Sequence, residues 1–244
     1  MKNRRNSRGK KTTYVLLALA MVLLLGSALG STRAALTYYS ENYSAEITVN
    51  QIGVSLLENG EVVSSRNYEN DKWNETSGEL LQKMLGENEK LKLGKKYDET
   101  LSVKNSGTID QYVRVRIYKY WMKEDGKSKD STLSPDLIDL KLIDSGQWIN
   151  PNPDAADQEC TELYYKGVLP AGSTTAAFAD GIVIDSKIAK EVEVTQENNV
   201  ITTTYKYDGV QFHVDVEVDA VQTHNAQDAI RSAWGVDAAA LGML

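Results

Sequence analysis

A single cysteine, Cys160, and two histidines, His213 and His224, leave this chain little material for zinc binding or histidine-based catalysis. One cysteine excludes an intramolecular disulfide, so the fold rests on its hydrophobic core or on partners. Four prolines and 17 glycines in 244 residues exclude collagen-like and low-complexity architectures. Long apolar runs are also scarce, and a mean hydropathy of -0.40 excludes a polytopic membrane protein. Acidic residues are missing from residues 1–34, which hold seven of the 27 basic ones (Lys2, Arg4, Arg5, Arg8, Lys10, Lys11, Arg33). The remainder carries 20 basic against 34 acidic residues, a net charge of -14. Such a body repels phosphates rather than releasing counterions from them, so no nucleic-acid partner is expected.

What is present is the composition of a globular domain, 41% hydrophobic and 25% charged. The first segment reads as an export signal: a basic stretch, the apolar run Tyr14–Leu25, then the small residues of GSALGSTRA. The run reaches only Leu29 when Gly26–Ala28 are admitted, whereas a membrane span needs about 20 apolar residues. We therefore read this segment as a signal peptide followed by a single domain, residues 1–34 and 35–244 where the cut follows Ala34. Small residues allow cleavage after Ala34, with Thr32 and Ala34 at the recognised positions, or after Gly30, with Ala28 and Gly30. An exported chain with one cysteine suits a Gram-positive bacterial surface. Neither an LPxTG-like sorting motif nor a lipobox cysteine is legible, and the membrane is met only through the uncleaved signal.

The body reads as strands. Apolar and polar residues alternate in VQFHVDVEVDA, placing Val210, Phe212, Val214, Val216 and Val218 on one face and Gln211, His213, Asp215, Glu217 and Asp219 on the other. In YVRVRIYKYW, Val113, Val115 and Ile117 oppose Arg114, Arg116 and Tyr118. A strand through Leu101 and Val103 precedes it, ends in the turn formers Asn105, Ser106 and Gly107, and is expected to neighbour it in one antiparallel sheet. Weaker strands are expected at 46–57, 140–143, 163–169, 173–178 and 200–207. Helices are expected at Leu80–Leu85 and Ala226–Trp234, each ended by a glycine. Polar stretches at 69–76, 123–134 and 150–159 read as corner loops. The expectation is an all-β, antiparallel β-sandwich with one or two short helices.

Three blocks, GSTRAALTYYSENYSAEITVNQIGVSLLENG, LKLGKKYDETLSVKNSGTIDQYVRVRI and the late strand followed by AVQTHNAQDAIRSAW, together resemble the TasA/CalY (camelysin) family. Their order covers about half of the chain. The resemblance implies a jelly-roll-like sandwich, secreted, assembling into fibres of a biofilm matrix or bacterial cell-surface coat. It also implies a signal peptide removed by a dedicated signal peptidase before an alanine and an aromatic or apolar residue. Ala35 and Leu36 occupy those places, which favours the cut between Ala34 and Ala35. The sequence departs from the family in Leu36, where Phe is common, and in Tyr38 and Tyr39, where a small acidic motif is common.

Other chemistry is weakly signalled. His213 and His224 with Asp215, Glu217 and Asp219 lack the HExxH spacing that brings two ligands and a base to one zinc ion, and carboxylates spaced by two belong either to a solvated strand face or to a calcium site. No catalytic residue, metal ligand or cofactor is named. Cys160 has no histidine near it in sequence and reads as an unpaired thiol. Tyr118, Tyr120 and Trp121 with Arg114 and Arg116 resemble a surface that stacks on sugars, or else ordinary packing residues. The reading is a homopolymeric, non-enzymatic structural subunit, with a monomeric surface adhesin or carbohydrate-binding module as the alternative. The segment Ala35–Ala45 contains neither proline nor glycine and is expected to be the strand given to a neighbour, docking through Leu36, Tyr38 and Tyr39.

Overall fold

The computed structural model describes residues 14–20, 51–197 and 200–244. The chain divides into Met1–Thr48 and the compact unit Val49–Leu244. In the first, residues 14–20 form a helix (α1) with Tyr14, Val15, Leu16, Leu17 and Leu19 exposed. No described helix is long and apolar enough to cross a membrane. The cleavage residues Ala34 and Ala35 and the docking residues Leu36, Tyr38 and Tyr39 lie outside the described residues.

The compact unit is all-β and antiparallel. One sheet contains β1 (Gly53–Glu58), β2 (Glu61–Glu69), β3 (Lys72–Thr76), β4 (Lys96–Tyr97), β5 (Leu101–Asn105), β7 (Ile138–Leu142) and β10 (Ala179–Ile184). Its order is β3-β2-β1-β5-β10, with β4 and β7 also on β10. Tyr97 pairs with Ile182 and Leu101 with Ala179, so β4 and β5 lie along β10 one residue out of common register. Gly181 sits at this irregularity, where a Cβ would come within 2.7 Å of the Tyr97 carbonyl oxygen. Only glycine fits there without moving backbone.

The second sheet has the order β13-β6-β9-β8, with β6 (Gln111–Met122), β8 (Trp148–Ile149), β9 (Cys160–Tyr165) and β13 (Gln211–Gln222). β6 and β13 pair in one unbroken register from Gln111↔Gln222 to Met122↔Gln211. The alternation of the sequence sorts their faces as expected. Val113, Val115 and Ile117 of β6, Leu163 of β9 and Val214 of β13 are buried together with Leu56, Val103, Ile138 and Ile182 of the first sheet. Phe212, Val216 and Val218 are half-buried against this core. A separate ribbon is made by β11 (Val192–Glu197) and β12 (Val200–Tyr205).

The outer face of the second sheet is partly covered by the helix Ala226–Trp234 (α2), which ends at Gly235 in the left-handed conformation, φ 73°. Ile230 is its one fully buried residue and packs with Tyr112, Tyr164, Ala238 and Met243.

Four expectations need correction. Residues 80–85 form turns, not a helix. Gly78 and Gly86 leave too short a stretch to repay helix nucleation, and Leu81 takes φ 65° while its N–H donates to the Glu58 carboxylate at 2.8 Å. The stretch 69–76, read as a loop, belongs to the β2–β3 hairpin, whose turn residues Asn70 and Asp71 have φ 52° and 60°. Strands β5 and β6 lie in different sheets, because their connection crosses the sandwich. There Asn105 donates Nδ2 to the carbonyls of Ile109 and Leu169, and Gly107 is pressed against the backbone of Gln51 and Gly53. Finally, 173–178 is extended coil with a single bridge, Lys104↔Thr174.

Candidate functional site

Among the described strands, β13 is the longest that lies at a sheet edge. It pairs with β6 along one side, and among the described residues no strand pairs with the other. The other edges among the described strands are shorter: β11 and β12 have six residues each, β3 and β7 five, and β4 and β8 two, against twelve in β13. Every second N–H and C=O of such an edge points away from its partner and can pair with another chain.

The free side of β13 opens onto a cleft. A 680 Å³ cavity lies beside Phe212, Val214 and Val216, with Leu56, Leu81 and Met84 opposite. A second, of 650 Å³, follows Val216–Asp219 and shares Leu56, Ser64, Ser77 and Val216 with the first. A third, of 230 Å³, reaches Val221 and shares Val54, Arg66, Val218 and Asp219 with the second. The three form one groove from Phe212 to Val221, walled opposite by β1, the β2–β3 hairpin and the turns at 77–91.

One wall is held by the Glu58 carboxylate, which accepts the Leu81 N–H and carries a raised pKa, chiefly from burial. The other wall, β13 itself, is fixed by charge. Arg114 of β6 lies opposite Asp219 and donates to its Oδ2 through Nε at 3.0 Å and Nη2 at 2.7 Å. Its Nη1 is 3.5 Å from Glu162 of β9, and its guanidinium lies 5.3 Å from the Trp234 ring centre. Arg116 holds Glu217 at 2.7 Å through Nη2, and its Nε is 3.2 Å from Asp219 as a charge contact rather than an aligned hydrogen bond. Burial works against the charge of Arg116, but Asp219 and Glu217 outweigh it and raise its pKa. Tyr120 donates its hydroxyl to Asp215 at 2.7 Å. The stripe Asp215, Glu217 and Asp219 is therefore engaged across the strand pair, and among the described residues no three His, Cys, Asp or Glu converge as a metal set.

The remaining sequence candidates separate. Trp121 is buried, donates its indole N–H to the Ser134 carbonyl and packs edge-on to Tyr207, so it is no part of a sugar-stacking surface. Tyr120 stays at the surface, stacked on half-buried His213 with ring centres 5.3 Å apart and with the Lys129 ammonium 4.5 Å from its ring centre. His224 is exposed. Cys160 is half-buried, and burial pushes its thiol pKa up, away from the thiolate that a nucleophile needs.

Two features of the cleft escaped the sequence reading: the β2–β3 wall and the pair Trp73 and Trp234 at its end. The adjacent Asn70–Asp71, both able to take positive φ between two β-prone runs, is the signal that marks such a hairpin. Comparison of the chain with family models, with curated proteins and with solved structures returns no match.

Proposed function

We propose that this chain is a secreted structural subunit that polymerises with copies of itself, each giving its Ala35–Ala45 segment to the β13 cleft of a neighbour. The reading rests on one observation above all: a twelve-residue strand with an edge that no described strand pairs, facing an apolar groove. Lengths agree. At ~3.3 Å per residue, the ten positions from Phe212 to Val221 span ~33 Å and the eleven from Ala35 to Ala45 span ~36 Å. An inserted strand would pair its backbone with β13 and bury alternate side chains against Leu56, Val214 and Val216, the physics of strand addition.

Cleavage is the switch in this scheme. While the basic leader and the apolar run Tyr14–Leu25 hold the chain at the membrane, its amino-terminal end is not free to enter a neighbour. A dedicated signal peptidase cutting between Ala34 and Ala35 releases it. The subunits then assemble outside the cell, as a matrix or surface coat.

The test is the start point of the purified protein. Protein beginning at Ala35 polymerises, seen as a rise in light scattering and as filaments by electron microscopy, and protein beginning at Glu46 stays folded and monomeric. Equal polymerisation of both forms would overturn strand donation by this segment.

A further inference from the structure

The groove ends in a hollow whose composition differs from the rest. Trp73, on β3, is 49% exposed, and the Arg66 guanidinium lies 4.5 Å above its ring. Trp234, at the end of α2, has the Arg114 guanidinium and Tyr164 on its own side, with ring centres of the aromatic pair 5.9 Å apart. Both indoles line one 230 Å³ hollow floored by Ile52, Val54, Val218 and Val221. The other two tryptophans use their indole N–H inside the fold, Trp121 on the Ser134 carbonyl and Trp148 on that of Ala176. The N–H groups of Trp73 and Trp234 have no such partner among the described residues. An exposed tryptophan on an edge strand contributes little to the core, whereas two indoles framing a hollow suit an aromatic anchor.

We infer that this hollow is an aromatic socket for Tyr38 of the inserted segment of a second copy, and that it sets the register of insertion; the inference rests on the strand-donation reading above. Size fits a phenol ring, since a cavity of about 150 Å³ already accepts benzene. Arg66 spends Nε on Glu75 at 2.8 Å, leaving its other N–H groups for a phenol oxygen at the rim. Direction selects the residue. Every strand pairing among the described residues is antiparallel, and β13 runs from Phe212 toward the socket. An antiparallel insert brings its first residues to that end. Leu36 and Tyr38 share one face of an extended chain and Tyr39 takes the other, so the face that enters the apolar floor carries Tyr38. The segment is well supplied with this side chain, with Tyr38, Tyr39 and Tyr43 in eleven residues.

The experiment uses protein beginning at Glu46 as acceptor and a fluorescein-labelled peptide of sequence ALTYYSENYSA, followed by fluorescence anisotropy. Replacing Tyr38 by Ala in the peptide is expected to weaken binding tenfold or more, and the Tyr39→Ala peptide to bind within threefold of the original. Trp73→Ala in the acceptor also weakens binding, Trp73→Phe restores most of the loss, and the two Ala changes together cost less than the sum of the two alone, as for groups in direct contact. Because the peptide change leaves the acceptor intact, a folding defect in the Trp73 variant does not decide the outcome. Binding of the original peptide that is indifferent to Tyr38→Ala overturns the socket and leaves strand donation standing. A loss seen with Tyr39→Ala instead overturns the assignment of faces. Absence of any binding by the original peptide overturns the strand-donation reading on which the socket depends.

Discussion

Arg114 and Asp219 stand directly opposite each other on β6 and β13, and two N–H groups of the arginine converge on a single aspartate oxygen. The arginine side chain is 9% exposed and the aspartate 31%, so the pair lies at the boundary between solvent and the layer beneath α2. It ties the open edge strand to the sheet, with Trp234 packed against the same guanidinium.

Removing one partner from this pair strands a nearly buried cation. Asp219→Ala is expected to destabilise the domain by about 2–3 kcal/mol, less than the ~3–5 for a fully buried pair because Glu162 remains near and Asp219 is partly solvated. Asp219→Asn keeps a hydrogen-bond acceptor and is expected to lose less. Denaturant unfolding of the two variants, compared with the parent, checks both the size and the order.

The face assignment of β13 gives the second prediction. Val214 lies inside the sandwich and Asp215 on the outer face beside Tyr120. Val214→Asp buries a charge with no partner and is expected to cost about 3–5 kcal/mol, enough to prevent secretion of folded protein where total stability is about 5–15. Asp215→Val loses one hydrogen bond at the surface and costs about 0.5–1.5. Secreted yield and thermal melting of the pair measure the contrast, and equal effects would reverse the faces.

The strands legible in the sequence are those whose apolar residues alternate with polar or charged ones. β6 and β13 alternate along their length, and their inner residues were identifiable one by one. β10 was missed because ADGIVI is nearly continuous in apolar residues and contains a glycine, which hides its period. β2 and β3 were missed for the opposite reason: with most of β3 exposed, SSRNYENDKWNE offers no apolar stripe, and the hairpin is marked only by its turn. The stretch Leu80–Leu85 carries helical spacing, but those leucines pack onto the groove wall as turns, an effect of tertiary contacts that no local pattern reports. The edge itself was unreadable, since a strand's sequence does not say how many neighbours it has.

Two tyrosines report on the outer face by titration. The hydroxyl of Tyr120 donates to Asp215, and this bond, with some burial, pushes its pKa up to about 12. Tyr164 also rises to about 12, first from burial and then from its bond to Glu162. Both values exceed the ordinary ~10 of an unfolded chain, so the stability these hydroxyls contribute is whole below about pH 10 and drains away as pH rises through about 12. Phenolate absorbance during alkaline titration is expected to show these groups ionising after the ordinary tyrosines. Asp215→Asn moves Tyr120 back toward the ordinary value and leaves Tyr164 where it was.

Contact between the amino-terminal segment and β13 is the centre of this account, and disulfide trapping reads it most directly. In a Cys160→Ala background of protein beginning at Ala35, one cysteine is placed at Leu36, on the same face as Tyr38, which leaves the socket residue intact. A second is placed in turn at Phe212, Val216 or Ala220 on β13, or at Lys141 on the distant edge strand β7 as control. Oxidation during assembly is predicted to give a ladder of covalent multimers on denaturing gels for at least one β13 position and none for Lys141. Filaments that form without a ladder at any β13 position, or with an equal ladder at Lys141, would contradict it.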